Sequence, residues 1–231
     1  MKVVAVIQAR MGSNRLRGKT LMKISKYSLL DTVINSVRRN SFVDDVIVAT
    51  SNNLEDDLIE EHCKNSNISL VRGDSEDVLS RYITVAKHLN PDDIIMRVTA
   101  DNPLNNKFST EKLFQKHIAE KNEYTYVEGL SHIVYEFINA GTLSKLENFT
   151  DLESSDREHV TMYIRRNEQF FKNGCKSSTS LNLNPKLDKL LTVDSENDYN
   201  RFQEMKNEID LDNDIDFETV YEWLRKHNSI Q

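Results

Sequence analysis

Over roughly the first 120 residues, apolar positions alternate between two spacings. Val3–Gln8 (VVAVIQ) is a short run rich in Val and Ile, which predicts a buried strand of the parallel type. Residues 9–19 follow as a loop. Leu29, Leu30, Val33, Ile34 and Val37 then recur at helical spacing and predict an amphipathic helix over 28–40. Residues 43–50 (VDDVIVAT) predict a second strand. Leu54, Leu58, Ile59 and His62 predict a second helix, capped by Ser51, Asn52 or Asn53. A third strand is expected at 68–71, then a helix on Val78, Leu79, Tyr82, Ile83 and Ala86 with Ser75 as its cap. A fourth strand is expected at 93–98 (DIIMRV), then a helix on Leu113, Phe114, His117 and Ile118 capped by Ser109. His62 and His117 fall on apolar helical faces and read as structural. Four strand–helix alternations predict a doubly wound, mostly parallel α/β sheet. Such sheets bind ligands at the carboxyl ends of their strands, where the strand order reverses.

After about residue 122 the rhythm changes. Tyr124–Val127 and 132–137 predict strands, and 141–149 a short helix. Ser155 and Glu158 suggest a capping box opening a helix to about 167. Residues 174–186 are rich in Ser and Asn and read as irregular. A strand at 190–193, ending in Asp194, would return the chain to the main sheet. Ser195 then caps a helix carrying Tyr199, Phe202 and Met205, and a last helix carries Phe217, Val220, Tyr221 and Leu224. The expected organisation is one domain over 1–231. Residues 1–121 bind nucleotide, 122–186 form an insertion that shapes the site, and 187–231 return to the sheet.

Charge changes this picture at one place. The chain carries formal net charge −7, yet its first seven charged residues are all basic and the first acid is Asp31. Four of the seven, Arg10, Arg15, Arg17 and Lys19, lie in the loop after the first strand, with Gly12, Ser13 and Gly18. Glycines let backbone approach an anion, N–H groups supply partial positive charge, and Arg and Lys supply full charge. The loop therefore suits phosphate, although it is neither a Walker A nor a G-x-G-x-x-G sequence, and a merely solvated basic loop has the same composition. The acidic balance argues against a general nucleic-acid binder. No apolar run approaches the roughly 18 residues that would span a membrane. Cys63 and Cys175 lack metal spacing and read as reduced thiols of a cytoplasmic protein. Ten acids against two bases over 194–218 read as a solvated surface, Asp194 excepted. No G-x-S-x-G elbow suggests a serine hydrolase.

Six ordered blocks carry a resemblance: IQARMGSNRLRGK, DDVIVATSNN, RGDSEDVLSRY, RVTADNPL, DREHVTMYIRRN and LLTVDSENDY. They resemble blocks of the cytidylyltransferases that activate acidic sugars, the CMP-Kdo and CMP-sialic acid synthetases. They are most similar to the spore coat polysaccharide biosynthesis protein F type. Three features depart from that pattern. Arg17 replaces a proline, Ala100 replaces a glycine, and 124–137 matches only loosely.

The resemblance implies a nucleotide-diphospho-sugar transferase (GT-A-like) fold and transfer of CMP from CTP to an acidic sugar of the nonulosonic type, with release of pyrophosphate. It implies that Arg10, Arg15 and Lys19 cradle the triphosphate, with Arg10, Lys19 and Asp101 catalytic. Gln8, Ala9, Gly12, Ser13, Thr50, Ser51 and Arg81 would complete the nucleotide site. Asp101 and Asp194, each closing an expected strand, would hold Mg²⁺. Arg157 and His159 would meet the acceptor, and residues 122–186 would supply the contact of a homodimer. Arg81 lies one helical turn after Asp77, and the two could simply pair. Two other enzyme readings remain: a nucleotidyltransferase with another base or a phosphorylated acceptor, and a GT-A-type glycosyltransferase. The latter usually shows a D-x-D pair, which Asp101-Asn102-Pro103 is not. A non-catalytic nucleotide-binding protein is a third.

Overall fold

A computed structural model describes residues 1–176, 179–211 and 216–227. In chain order, strand β1 (Val3–Gln8) leads through a 3₁₀ turn at Lys19–Leu21 into a small hairpin, β2 (Lys23–Ile24) and β3 (Tyr27–Ser28). Then come α1 (Leu29–Arg38), β4 (Asp45–Ser51), α2 (Asp57–Asn65), β5 (Ser69–Gly73), α3 (Val78–Ala86), β6 (Ile94–Thr99) and α4 (Lys107–Ala119). The second half holds β7 (Tyr124–Val127), β8 (Glu136–Asn139), α5 (Ala140–Leu146), α6 (Ser154–His159) and α7 (Met162–Arg166). It closes with β9 (Asn173–Lys176), α8 (Lys186–Leu190), α9 (Glu196–Glu208) and α10 (Phe217–Lys226). No helix among the described residues is long and apolar enough to cross a membrane.

The sheet has seven strands in the order β5-β4-β1-β6-β8-β7-β9. β5, β4, β1 and β6 run parallel, β8 is antiparallel to both β6 and β7, and β9 is parallel to β7. The chain winds from β1 outward to β5, then crosses to β6 on the other side of β1, so the order reverses between β1 and β6. Side chains alternate along each strand, and both faces are covered. Val3, Ala5, Ile7, Met96 and Val98 pack against α1, α2, α4, α9 and α10. Val4, Val6 and Ile95 pack against α3, α5 and α7. The doubly wound, mostly parallel architecture is therefore present.

Local capping explains most boundary differences. Ser28 and Asp31 form a capping box that starts α1, and Ser195 and Asp198 one that starts α9. Asp77, not Ser75, caps α3 by accepting from Ser80 N, and Asn106, not Ser109, caps α4. No side chain of Ser51, Asn52 or Asn53 caps α2, which is entered through a 3₁₀ turn at Leu54–Asp56. The capping box of α6 uses Glu153 and Asp156 rather than Ser155 and Glu158. The helix expected up to 167 breaks at Val160, whose φ of 58° cannot continue a right-handed turn. β8 begins at Glu136 rather than 132, because 130–134 form a turn in which Val134 N donates to the Leu130 carbonyl. At the start of the segment read as irregular, 174–186, Asn173–Lys176 pairs with β7 as β9; residues 177 and 178 lie outside the described set.

One difference bears on the site. No strand forms at 190–193: α8 covers Lys186–Leu190, and the chain meets the sheet end through a backbone bond from Val193 N to the Asp101 carbonyl at 2.9 Å. Asp194 therefore reaches the carboxyl end of the sheet from a docked loop, not from a strand. Of the acidic stretch 194–218, residues 212–215 lie outside the described set.

Candidate active site

A cleft of about 410 Å³ opens over the carboxyl ends of β1 and β6, at the reversal of strand order. Its lining includes Gln8, Ala9, Arg10, Ser13, Arg15, Lys19, Arg81, Asp101, His159 and Asp194, all anticipated from sequence. Five Arg and Lys side chains face it against three carboxylates, in a chain of net charge −7. An enclosed excess of positive charge on an acidic protein concentrates an anionic ligand.

Lys19 is the centre of the arrangement. Gly18, in the left-handed region at φ 75°, turns the chain so that Lys19 opens the 3₁₀ turn with its side chain inward. Its Nζ donates to Asp101 Oδ2 at 3.0 Å, to Asp194 Oδ1 at 2.9 Å and to the Val193 carbonyl at 2.8 Å. Those are the three donors of an ammonium, each used, with the Lys19 side chain only 11% exposed. Burial would raise the Asp101 pKa, but the charge and hydrogen bond of Lys19, with Thr99, outweigh it and hold the carboxyl below its ordinary range. Arg15 reaches the second oxygen of Asp194 at 2.8 Å.

The basic loop is anchored from below. Buried Asp56 accepts from Met11 N at 2.7 Å and from the N–H and hydroxyl of Ser51. Met11 in turn accepts from Ser13 N and Gly18 N, and Thr20 donates to the Arg10 carbonyl. A Cβ added at Gly12 would meet the carboxylate end of Glu55, which would have to swing aside. Arg17, where a proline was expected, is exposed and pairs with Glu55 at 3.0 Å, which ties down the loop from outside.

Four anticipated residues lie outside the lining. Gly12 lies in the loop beside Glu55. Ser51 spends its hydroxyl on Asp56, and Thr50 is fully buried with its hydroxyl oxygen unpartnered. Arg157 is held away by Asp77 at 2.6 Å, so Asp77 pairs with Arg157 and leaves Arg81 without a carboxylate partner there. Arg81 instead donates to the carbonyls of Ala49 and Ser75, at 3.3 and 3.4 Å, and its Nε is buried without a partner. Burial lowers its pKa.

The cleft also contains Asn14, Thr20, Arg97, Thr99 and His132, which sequence reasoning did not single out, and Glu158, which it read as a helix-capping residue. Arg97 had a signal: it interrupts an otherwise apolar strand, and a charge there must be either paired or in use. It stands opposite Glu136 of β8 in register. Glu136 is 1% exposed and fully subscribed. Its Oε1 accepts from Arg97 at 3.3 Å and Arg165 at 2.7 Å, and its Oε2 from Tyr124 and Thr161. Its carboxyl stays below the ordinary range because Arg97 and Arg165 overcome the burial that would raise it. His132 rests on Asp188, which accepts from its backbone N at 2.8 Å and lies 2.9 Å from its Nδ1. That contact with Asp188 raises the imidazole pKa against the opposing effect of burial.

Among known proteins, a family model described as cytidylyltransferase matches residues 4–228. The chain is 34% identical to the spore coat polysaccharide biosynthesis protein SpsF of Bacillus subtilis, over 74% of this chain and 72% of that protein. A solved cytidylyltransferase from Leptospira borgpetersenii superposes with a TM-score of 0.84 at 26% identity, covering 99% of this chain and 96% of that one. A CMP:2-keto-3-deoxy-manno-octonic acid synthetase complexed with CTP shares the fold, with a TM-score of 0.68 at 16% identity over 90% of this chain and all of that one. A seven-stranded, doubly wound sheet, a basic cleft at its strand reversal and a family match over nearly its whole length lead to one conclusion: this chain belongs to the cytidylyltransferase family.

Proposed function

We propose that the enzyme transfers CMP from CTP to a hydroxyl of an acidic sugar of the nonulosonic type, releasing pyrophosphate, for surface polysaccharide or glycan synthesis. The observation that carries this reading is the knot of Lys19, Asp101 and Asp194 beneath Arg10 and Arg15, at the reversal of strand order. Transfer of this kind asks a protein mainly for positioning and for neutralisation of phosphate charge. Arg10 and Arg15 are placed to grip triphosphate oxygens, and the Lys19 ammonium to balance charge building on the leaving pyrophosphate. The loop's anchorage on Asp56 fixes these groups before the substrate arrives, so little reorganisation accompanies reaction.

Asp101 and Asp194 fit a divalent cation. Both already direct an oxygen at one positive centre, the Lys19 ammonium. Mg²⁺ prefers one or two carboxylates completed by phosphate oxygens and water, and this site offers that number. No group of three or more possible ligands occurs among the described residues, so the substrate would complete the shell. Bound there, Mg²⁺ would polarise the α-phosphate and screen the attacking and leaving oxygens from each other.

The division at 122 and 187 stays part of this proposal: the first part supplies the triphosphate loop, the second the acceptor wall. CTP supply and two free cysteines suit a cytoplasmic setting. We also propose a homodimer through 122–186, supported by the exposed apolar side chains Met162 and Phe170. Sedimentation should give twice the 26.8 kDa chain mass; a monomer at micromolar concentration contradicts it.

A pyrophosphate-release screen tests the function. It crosses CTP, UTP, GTP and ATP with acidic, phosphorylated and neutral sugars. Release with CTP and an acidic sugar is expected. Release only with another base, or only with a phosphorylated sugar, favours the alternative nucleotidyltransferases. CTP binding without release from any acceptor favours a non-catalytic role.

A further inference from the structure

We propose that Arg97 anchors the anionic group of the acceptor. The proposal rests on the function above and adds the residue that reads the acceptor's charge. It starts from an imbalance. The row of polar side chains along the α3–α7 face of the sheet holds two guanidinium groups, Arg97 and Arg165, and one carboxylate, Glu136. Glu136 is shared unequally. Arg165 takes it at 2.7 Å, donates through Nε to Tyr124 at 2.8 Å and to Ser131 at 2.9 Å, and stacks over Tyr126 with its guanidinium carbon 4.2 Å from the ring centroid. Arg165 is therefore engaged through Nε and one terminal nitrogen as a structural clamp on β7 and β8.

Arg97 receives the remainder. Its contact with Glu136 is long, 3.3 Å, and its Nε is buried with no hydrogen-bond partner. Its side chain is only 13% exposed, and it lines the cleft. A buried guanidinium with half a counter-ion and an idle donor is costly unless something supplies the missing charge. The open side of Arg97 is the cleft, where His132 and His159 add two further potential donors. A carboxylate seated there would take hydrogen bonds from the planar fork and close the charge balance. Lys in place of Arg would keep the charge but lose the fork.

The position is also consistent with an acceptor rather than the nucleotide. On β6, Arg97 lies two residues before Thr99, on the same face, and so about 7 Å below the strand end at which the Lys19 knot sits. An acid bound at Arg97 would sit deeper than the triphosphate, with its body extending toward the Lys19 end. Glu158 is the one carboxylate of the cleft outside the Lys19 knot, and it is exposed at the rim on α6. If Glu158 folded inward to pair with Arg97, acceptor charge would not be read there.

The test uses Arg97→Met and Arg97→Lys with calorimetry and the pyrophosphate assay. The probes are 3-deoxy-manno-octulosonate, N-acetylneuraminate, the amide of each, and a sugar phosphate, each with CTP present. The wild type should bind at least one acid better than its amide. Arg97→Met should weaken that acid about 100-fold and erase its advantage over the amide, the scale of a lost charge-assisted pair. Arg97→Lys should recover part of the loss. CTP affinity should change less than threefold, and the fold should hold with only a modest drop in melting temperature, because Glu136 keeps Arg165, Tyr124 and Thr161 as partners. The acid and phosphate arms separate a carboxylate reader from a phosphate reader of the same anion site. Unchanged acid affinity in Arg97→Met overturns the proposal, as does no binding of any anionic probe by a wild type that binds CTP. Equal loss of CTP and acid binding with a steep fall in melting temperature overturns it in favour of a structural role. Failure of the wild type to bind CTP would instead refute the nucleotide reading.

Discussion

Lys19→Met is expected to lower turnover by about 10³-fold or more, the scale for removing a charge that stabilises a developing anion in an enclosed site. Methionine keeps the length and apolar stem of the side chain, so the cleft keeps its shape. What is lost is the ammonium between Asp101 and Asp194. The two carboxylates then face each other with only the exposed Arg15, on Asp194, to offset their charge. Their side chains are 29% and 33% exposed, so water screens much of the repulsion. The expected cost is about 1–2 kcal/mol, or a melting temperature lowered by about 4 °C for a chain of this size. Added Mg²⁺ should restore more stability to this variant than to wild type, because the ion can occupy the vacated position between the carboxylates. Steady-state release of pyrophosphate and a thermal scan with and without Mg²⁺ check both halves. Turnover within tenfold of wild type would remove Lys19 from the chemistry.

Asp101→Asn should be nearly as damaging to activity and much less so to stability. Asn keeps the shape but cannot supply an anionic oxygen to Mg²⁺, and a loss of about 10²–10³ in kcat is expected. Lys19 still has Asp194 and the Val193 carbonyl, so the fold at neutral pH should lose about 1 kcal/mol at most. The pH dependence has a definite sign. Asp101 has a lowered folded-state pKa, so its contribution is fully present above the unfolded value of about 3.9 and is lost as pH falls through the folded value. In EDTA, the stability gap between wild type and Asp101→Asn should therefore be flat from pH 5 to 8 and should shrink below pH 4. A gap that widened on acidification would mean that Asp101 is not the partner of a charged Lys19.

The basic-loop side of the cleft was legible in the sequence because its parts are local. A Val/Ile run followed by glycines and four basic residues is one continuous stretch, and its strand and loop determine where Arg10, Arg15 and Lys19 stand. Asp101 was legible because it follows a strand directly. Asp194 was placed correctly at the sheet end for an incorrect reason. The short apolar run before it looks like a strand, but docks instead through Val193 on Asp101. Periodicity cannot separate these, since three apolar residues in a run of four are too few to show either period. Thr50 falls in the expected strand and Ser51, read as a helix cap, extends that strand instead, while Asp56 takes the Ser51 hydroxyl. Such a contact is set by a 3₁₀ turn that no propensity marks. The Arg97 side of the cleft was least legible. Arg97, Glu136 and Arg165 come from three elements, and only the antiparallel register of β6 and β8 brings the first two together. Arg157 looked free in the sequence because its partner, Asp77, lies eighty residues earlier.

The central claim is that the Lys19 knot receives the β- and γ-phosphates of CTP. Titration of CTP and of CMP into wild type and Lys19→Met, in Mg²⁺ at fixed ionic strength, tests it most directly. Wild type should bind CTP far more tightly than CMP. The variant should bind CMP as wild type does and lose most of the advantage of CTP. An unchanged ratio of CTP to CMP affinity in the variant would contradict the account.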